Sequence, residues 1–368
     1  MMVDRVLLFM AVSWLAVLSP PAHAAEDKAQ VIASLGLRES AVPAREMRGW
    51  EKPRKIVVLA EGPERIAWFQ EVVKGVTLSS ARNPGEALAL MPDADALIGF
   101  CARDLVAAAP KLKWIQTQQA GVEDCLAIPG VGDGRILLTN MQRLNGPNIA
   151  EHTFGLILTL TRQINVAAAN QRAGKWDGRA MRKVMDLEGK TMLIAGLGGI
   201  GTDIAKRADA FGMRVIATRN SGREGPPFVA RVGLAKDLPA MIGEADVVVN
   251  VTPLTPDTAG LFNAAMFARM KPTAYFINVG RGQSVVTADL VTALRSGKIA
   301  GAGLDVVDPE PLPQDHALWS LENVVITPHT AGASELKQER AWIVMRENLR
   351  RYVAGEKLFS VVDVKRGY

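Results

Sequence analysis

A chain of 368 residues with 48% hydrophobic content is too long for one core and is expected to split into two domains. Its 43 basic and 38 acidic residues leave a formal charge of +5, and aromatics are only 5% of the whole. That balance argues against a nucleic-acid groove and suits small anionic ligands, although a solvated basic face accounts for it equally well.

Residues 1–5 are short and polar, residues 6–18 form an apolar run shorter than a comfortable bilayer span, and Ala22-His23-Ala24 is a small-x-small cleavage site. A secretory signal cut after Ala24 is expected, with a periplasmic or secreted protein that keeps no stable membrane span once the signal is gone. Asp4 offsets Arg5, and no twin arginine is present. An uncleaved anchor, or a misassigned start and a cytoplasmic protein, is therefore the alternative. Residues 25–50 are polar, carry Pro43 and Gly49, and read as a lead-in rather than a domain. Cys101 and Cys125 match no metal or redox spacing; they are expected as two small buried hydrophobes, with a disulfide the alternative in an oxidising compartment.

From Arg54 the pattern becomes regular. Apolar runs at 55–60, 76–79, 96–100, 114–117 and 135–139 predict buried strands, with helical stretches at 66–73 and 87–91 between them and a loop, Gln118 to Glu123, after the fourth. At Asn145-Gly-Pro147 a helix is expected to start with proline in its first turn, run to about Ile164, and link two domains. Strands then recur at 192–195, 213–217, 247–251, 274–279, 301–306 and 324–327, and a last helix covers about 334–354. The class is α/β, with a parallel sheet covered on both faces.

Gly196-Leu-Gly198-Gly199-Ile200-Gly201 sits between a predicted strand and a predicted helix. Gly196 allows the tight turn, Gly198 lets backbone approach a pyrophosphate, and Gly201 lets the helix lie close on the strand, while free N–H groups of the helix start face the phosphates. The end of the next strand reads Ala217-Thr-Arg219-Asn220-Ser-Gly-Arg223, without the carboxylate that would bind a ribose 2′-hydroxyl. Arg219, with Arg223 nearby, suits a 2′-phosphate, so NADP(H) is favoured and NAD(H) remains open if these are solvated loop arginines.

Reducing a keto acid by hydride requires a cation for its carboxylate and carbonyl, a proton donor for the developing alkoxide, and a group that keeps the donor protonated. Arg281, Glu310 and His329 each follow a predicted strand and can converge on one crevice. Singly, each has a structural alternative: a bridge to a carboxylate, a solvated loop acid, or a histidine satisfying a helix start. Together they point to one site.

The glycine loop, Val251-Thr252-Pro253-Leu-Thr255, Asn278-Val-Gly-Arg281-Gly, Leu304-Asp305-Val, Glu310-Pro-Leu312 and Pro328-His329 together resemble the D-isomer-specific 2-hydroxyacid dehydrogenases, and within them the glyoxylate/hydroxypyruvate reductase branch. The resemblance spans nearly everything from Arg54. It implies a nucleotide-binding Rossmann domain (147–330, linking helix included) inserted into a flavodoxin-like substrate domain made of 51–146 and the returning 331–368. It implies that Arg281 orients a small 2-keto or 2-hydroxy acid, that His329 is the acid or base, and that Glu310 holds its imidazole. Backbone amides around Gln119, Ala120, Gly121 and Val122 would grip the substrate carboxylate; Asp305 would contact the nicotinamide amide, and Asn220, Thr252 and Pro253 would border the cofactor. The linking helix, with Glu151 and His152, would join a homodimer interface, so His152 is read as structural. Glu123 departs from the family, where a shorter polar residue is commoner, and an export signal is unusual on an enzyme that uses a soluble nicotinamide cofactor. A non-catalytic dinucleotide-binding sensor on the same fold is the competing reading; a methyltransferase or a homocysteine-nucleoside hydrolase leaves Arg281, Glu310 and His329 unexplained.

Overall fold

The computed structural model describes residues 27–60, 62–181 and 184–367; the expected signal segment and its cleavage site lie outside them. Among the described residues two all-parallel sheets form. The first contains β1 (Lys55–Leu59), β2 (Thr77–Ala81), β3 (Ala96–Gly99), β4 (Trp114–Thr117) and β5 (Leu137–Thr139) in the order β2-β1-β3-β4-β5, the flavodoxin-like arrangement. The second contains β6 (Thr191–Ala195), β7 (Arg214–Thr218), β8 (Arg231–Gly233), β9 (Val247–Asn250), β10 (Tyr275–Asn278), β11 (Gly301–Leu304) and β12 (Val324–Ile326). Its order, β12-β11-β10-β9-β6-β7-β8, reverses direction between β9 and β6 and is that of a Rossmann sheet with one added strand. Continuous runs such as Ile56-Val-Val-Leu59 and Val247-Val-Val249 are buried on both faces, which is what helices on each side of a parallel sheet require. The short strand β8 was not expected; three residues behind Pro226-Pro227 are too few to show a period.

The linking helix spans Gly146–Thr161 with Pro147 in its first turn, and buries Ile149, Phe154, Ile157 and Leu160 against the second sheet. It stops three residues short of the expected end because Gln163 takes φ 53° and turns the chain into a second helix, Ile164–Arg172, none of whose residues is buried. The C-terminal helix, Lys337–Ala354, returns to the first sheet, where Tyr352 stacks on Trp114 at 4.4 Å and Trp342 meets Phe69 edge-on at 5.9 Å. Between them, Asn348 Nδ2 donates to Gln116 Oε1 (2.7 Å), which also accepts from Thr139 Oγ1 (2.8 Å).

Two expectations change. The lead-in forms a helix, Lys28–Leu35, tied to the C-terminal return: Lys28 Nζ donates to Glu347 (3.1 Å), Arg351 to Glu39 (2.7 Å), and Ser40 N to the Leu358 carbonyl (2.7 Å). Cys101 and Cys125, expected as separate hydrophobes, form a disulfide, since the loop after β3 and the short helix Glu123–Leu126 bring their Cα atoms to 5.7 Å.

Candidate active site

The second sheet orders its functional side chains through register. Asn278, Leu304 and Ile326 stand side by side at the ends of β10, β11 and β12, so the loops carrying Arg281, Glu310 and His329 leave one rim from adjacent strands. The loops touch: a side chain at Gly282 would overlap the backbone of Val307 and Asp308. His329 Nδ1 lies 2.9 Å from Glu310 Oε2, and Glu310 Oε1 accepts from the Val307 amide at 3.0 Å. With Nδ1 held, Nε2 is the ring nitrogen available for proton exchange, and the side chain is 54% exposed.

Arg281 crosses to the first domain. Its Nε donates to Glu123 Oε1 at 3.1 Å and its Nη1 to the Gly280 carbonyl at 2.9 Å. Its Nη2 lies against Gly121, where a Cβ would overlap it, so the guanidinium sits on the loop of Gln119, Ala120, Gly121 and Val122. That loop is fixed by Asn140 Nδ2, which donates to the Ala120 carbonyl at 2.7 Å. Of the four amides expected to grip a carboxylate, that of Gln119 is given to Thr117 Oγ1 (3.2 Å).

Asp305 supports the His329 loop. It is 3% exposed, and its carboxylate accepts from Thr327 Oγ1 (2.7 Å) and from the amides of Thr330 (2.9 Å) and Ala331 (3.0 Å). Its oxygens anchor the loop that carries His329. His152 Nε2 reaches Thr327 Oγ1 at 2.8 Å, which supports the same loop from the linking helix.

The glycine loop lies where the strand order reverses. Gly196 takes φ 106° against the Val251 backbone, a side chain at Gly201 would strike the Gly196 carbonyl, and one at Gly198 would meet nothing within 4 Å. The turn, the close packing and the open approach that a pyrophosphate requires are thus all present, beneath the start of the helix Gly199–Ala210, which includes Ile200. Thr252 and Pro253 follow β9 on the opposite lip, with Thr252 Oγ1 donating to Asn250 Oδ1 at 2.8 Å. After β7, Arg219 Nη1 donates to the Glu224 carbonyl (3.0 Å) while its buried Nε has no partner. Asn220 is exposed. Arg223, expected beside it, is committed to Asp237 at 2.8 Å.

A family model of the NAD-binding domain of D-isomer specific 2-hydroxyacid dehydrogenases matches residues 154–331. A glyoxylate reductase of Thermofilum pendens is 37% identical over 264 residues, 71% of this chain and 77% of that protein. A D-3-phosphoglycerate dehydrogenase of Methanocaldococcus jannaschii is 32% identical over 84% of this chain, which spans 59% of that protein's length. The crystal structure of an NADPH-dependent glyoxylate/hydroxypyruvate reductase of Sinorhizobium meliloti, in complex with NADP and sulfate, matches with a TM-score of 0.73 at 30% identity, covering 86% of this chain and 100% of that one. The chain belongs to the D-isomer-specific 2-hydroxyacid dehydrogenase family.

In this 2-hydroxyacid dehydrogenase, sequence reasoning missed several supports. Asn278 Nδ2 (3.1 Å) and Ser284 Oγ (2.6 Å) both donate to the Arg281 carbonyl, and Asn250 Nδ2 joins them by donating to Asn278 Oδ1 (2.9 Å) and Ser284 Oγ (2.6 Å). Two buried asparagines at successive strand ends, with a buried serine in the turn after the second, were the available signal. Arg143, just before the linking helix, takes φ 75° and packs its stem on Gly199. Burial first, then the neighbouring charges of Arg38 and Arg219, lowers its pKa. Sequence reasoning did not single out Arg143, because only the fold places it over the glycine loop.

Proposed function

We propose that this protein reduces a small 2-keto acid of the glyoxylate or hydroxypyruvate kind with NADPH. The observation that carries this reading is the His329–Glu310 pair on the same rim as Arg281, which lies across the loop of residues 119–122. NADPH, seated along the glycine loop with its 2′-phosphate toward Arg219, would supply hydride to the carbonyl carbon. Arg281 and the free amides of the loop hold the substrate carboxylate and polarise its carbonyl. His329, held through Nδ1 by Glu310, gives the proton on Nε2 to the alkoxide oxygen as charge develops there.

Exposed Ile164, in the helix Ile164–Arg172, and exposed Trp176, just after it, support a homodimer built on this face, which sedimentation would measure. The small-x-small motif at Ala24 supports export, for which cell fractionation is the test.

A steady-state panel crossing NADPH and NADH with glyoxylate, hydroxypyruvate, pyruvate and bulkier 2-keto acids tests the function. Turnover of the two smallest polar substrates with a preference for NADPH is expected. Binding of NADPH without oxidation by any of them would instead favour a dinucleotide-binding sensor.

A further inference from the structure

We propose that Glu123 sets the charge of the substrates this site accepts, excluding 2-keto acids that carry a second anionic group and admitting those whose side chain is neutral or cationic. The inference rests on the keto acid reduction above and names the substrate class of the same site. Glu123 opens the short helix that follows the loop of residues 119–122, and its Oε1 accepts from Arg281 Nε at 3.1 Å. Both side chains are about two-thirds buried, so bulk solvent screens the pair only in part. Gly121 lies between them: a Cβ there would meet both Arg281 Nη2 and Glu123 Oε2. The carboxylate therefore borders the very loop that receives the substrate's own carboxylate.

Charge counting shows the consequence. The positive charge of Arg281 is already matched by the negative charge of Glu123 before substrate arrives. A monoanionic keto acid, sharing Arg281 with Glu123, leaves one net negative charge in a partly desolvated cleft. A second carboxylate or a phosphate adds further negative charge within a few ångströms of Glu123, where repulsion at intermediate dielectric costs at least about tenfold in binding. A cationic substituent gains by the same amount. Without Glu123 the arginine is unshared, and doubly charged substrates lose this penalty.

The test is kcat/KM, with saturating NADPH, for glyoxylate and hydroxypyruvate against oxaloacetate and 3-phosphohydroxypyruvate, in the full protein and in Glu123→Gln and Glu123→Asp. The wild type is expected to favour the monoanions. The Gln variant should raise the ratio of multi-anion to monoanion efficiency by at least about tenfold, mainly through KM and less so at high salt, and the Asp variant should keep the wild-type ratio. A ratio unchanged in the Gln variant, with every substrate slowed alike, would make Glu123 a mechanical brace for Arg281 and overturn the inference while leaving the reductase reading intact. Absence of turnover with every substrate in the wild type would overturn that reading and the inference with it. If the Gln variant does not fold, product inhibition of the wild type decides: glycolate should inhibit more tightly than tartronate, which adds one carboxylate to the same skeleton, and the reverse order would overturn the proposal.

Discussion

His329 takes φ 54°, a left-handed conformation that costs a non-glycine residue of order 1 kcal/mol. What holds it there is Asp305, whose backbone carbonyl accepts the His329 amide at 2.8 Å while its carboxylate accepts the amides of Thr330 and Ala331. The loop is thus fixed before substrate arrives, with Nδ1 on Glu310 and Nε2 left for chemistry. His329→Ala should lower kcat by about 10²–10⁴-fold while NADPH affinity, measured by fluorescence titration, stays nearly constant. Arg281→Ala should chiefly raise KM for the keto acid; a near-normal kcat in the histidine variant would remove the acid assignment. The three polar residues were legible because each follows an apolar run that ends at the sheet rim. The Arg281–Glu123 pair was not, because 158 residues separate its members and only the folded cleft joins them.

Elements were legible where burial on both sides produces an unbroken apolar run, as in β1, β6 and β9, and where proline and glycine mark a turn, as at Gly146 and Pro147. They were illegible where tertiary contacts do the ordering: the short helix Lys28–Leu35 is held by the C-terminal helix across some 300 residues of sequence. Its anchor, Glu347, has consequences for pH. Burial pushes this carboxyl up, but hydrogen bonds from Arg350, Arg351 and Lys28 outweigh that and bring it down to about 2. A carboxyl held below its unfolded value adds stability above that value and loses it as pH falls toward the folded one. Denaturant unfolding should therefore show the native state losing about 2 kcal/mol between roughly pH 6 and pH 3 through this group. Glu347→Gln should remove that part of the slope; an unaltered slope would show that the cluster contributes no pH-dependent stability.

At the scale of the molecule, two sheets of different strand order meet through one linking helix and one returning helix, and the proposed catalytic groups lie where the loops of both face each other. The alternation of strands and helices showed the α/β class, and the glycine loop marked the nucleotide half. The join between halves was not encoded locally: the return of Lys337–Ala354 to the first sheet rests on long-range packing of Trp342 and Tyr352. The disulfide belongs to this scale also. It ties the loop after β3 to the helix that carries Glu123, closes 24 residues of chain, and in the chain-entropy account adds about 3 kcal/mol. Protein isolated without reductant should resist alkylation at Cys101 and Cys125 and lose stability of that order in the double serine variant; free thiols in the isolated protein would contradict the pairing.

The most direct test of the whole account is a crystal structure with NADPH and oxalate, an unreactive stand-in for a small keto acid. Oxalate is expected on Arg281 and the loop of residues 119–122, with His329 Nε2 within hydrogen-bonding reach of its oxygen and the nicotinamide ring alongside. Oxalate bound elsewhere, or Arg281, Glu310 and His329 turned into separate environments around the bound cofactor, would contradict it.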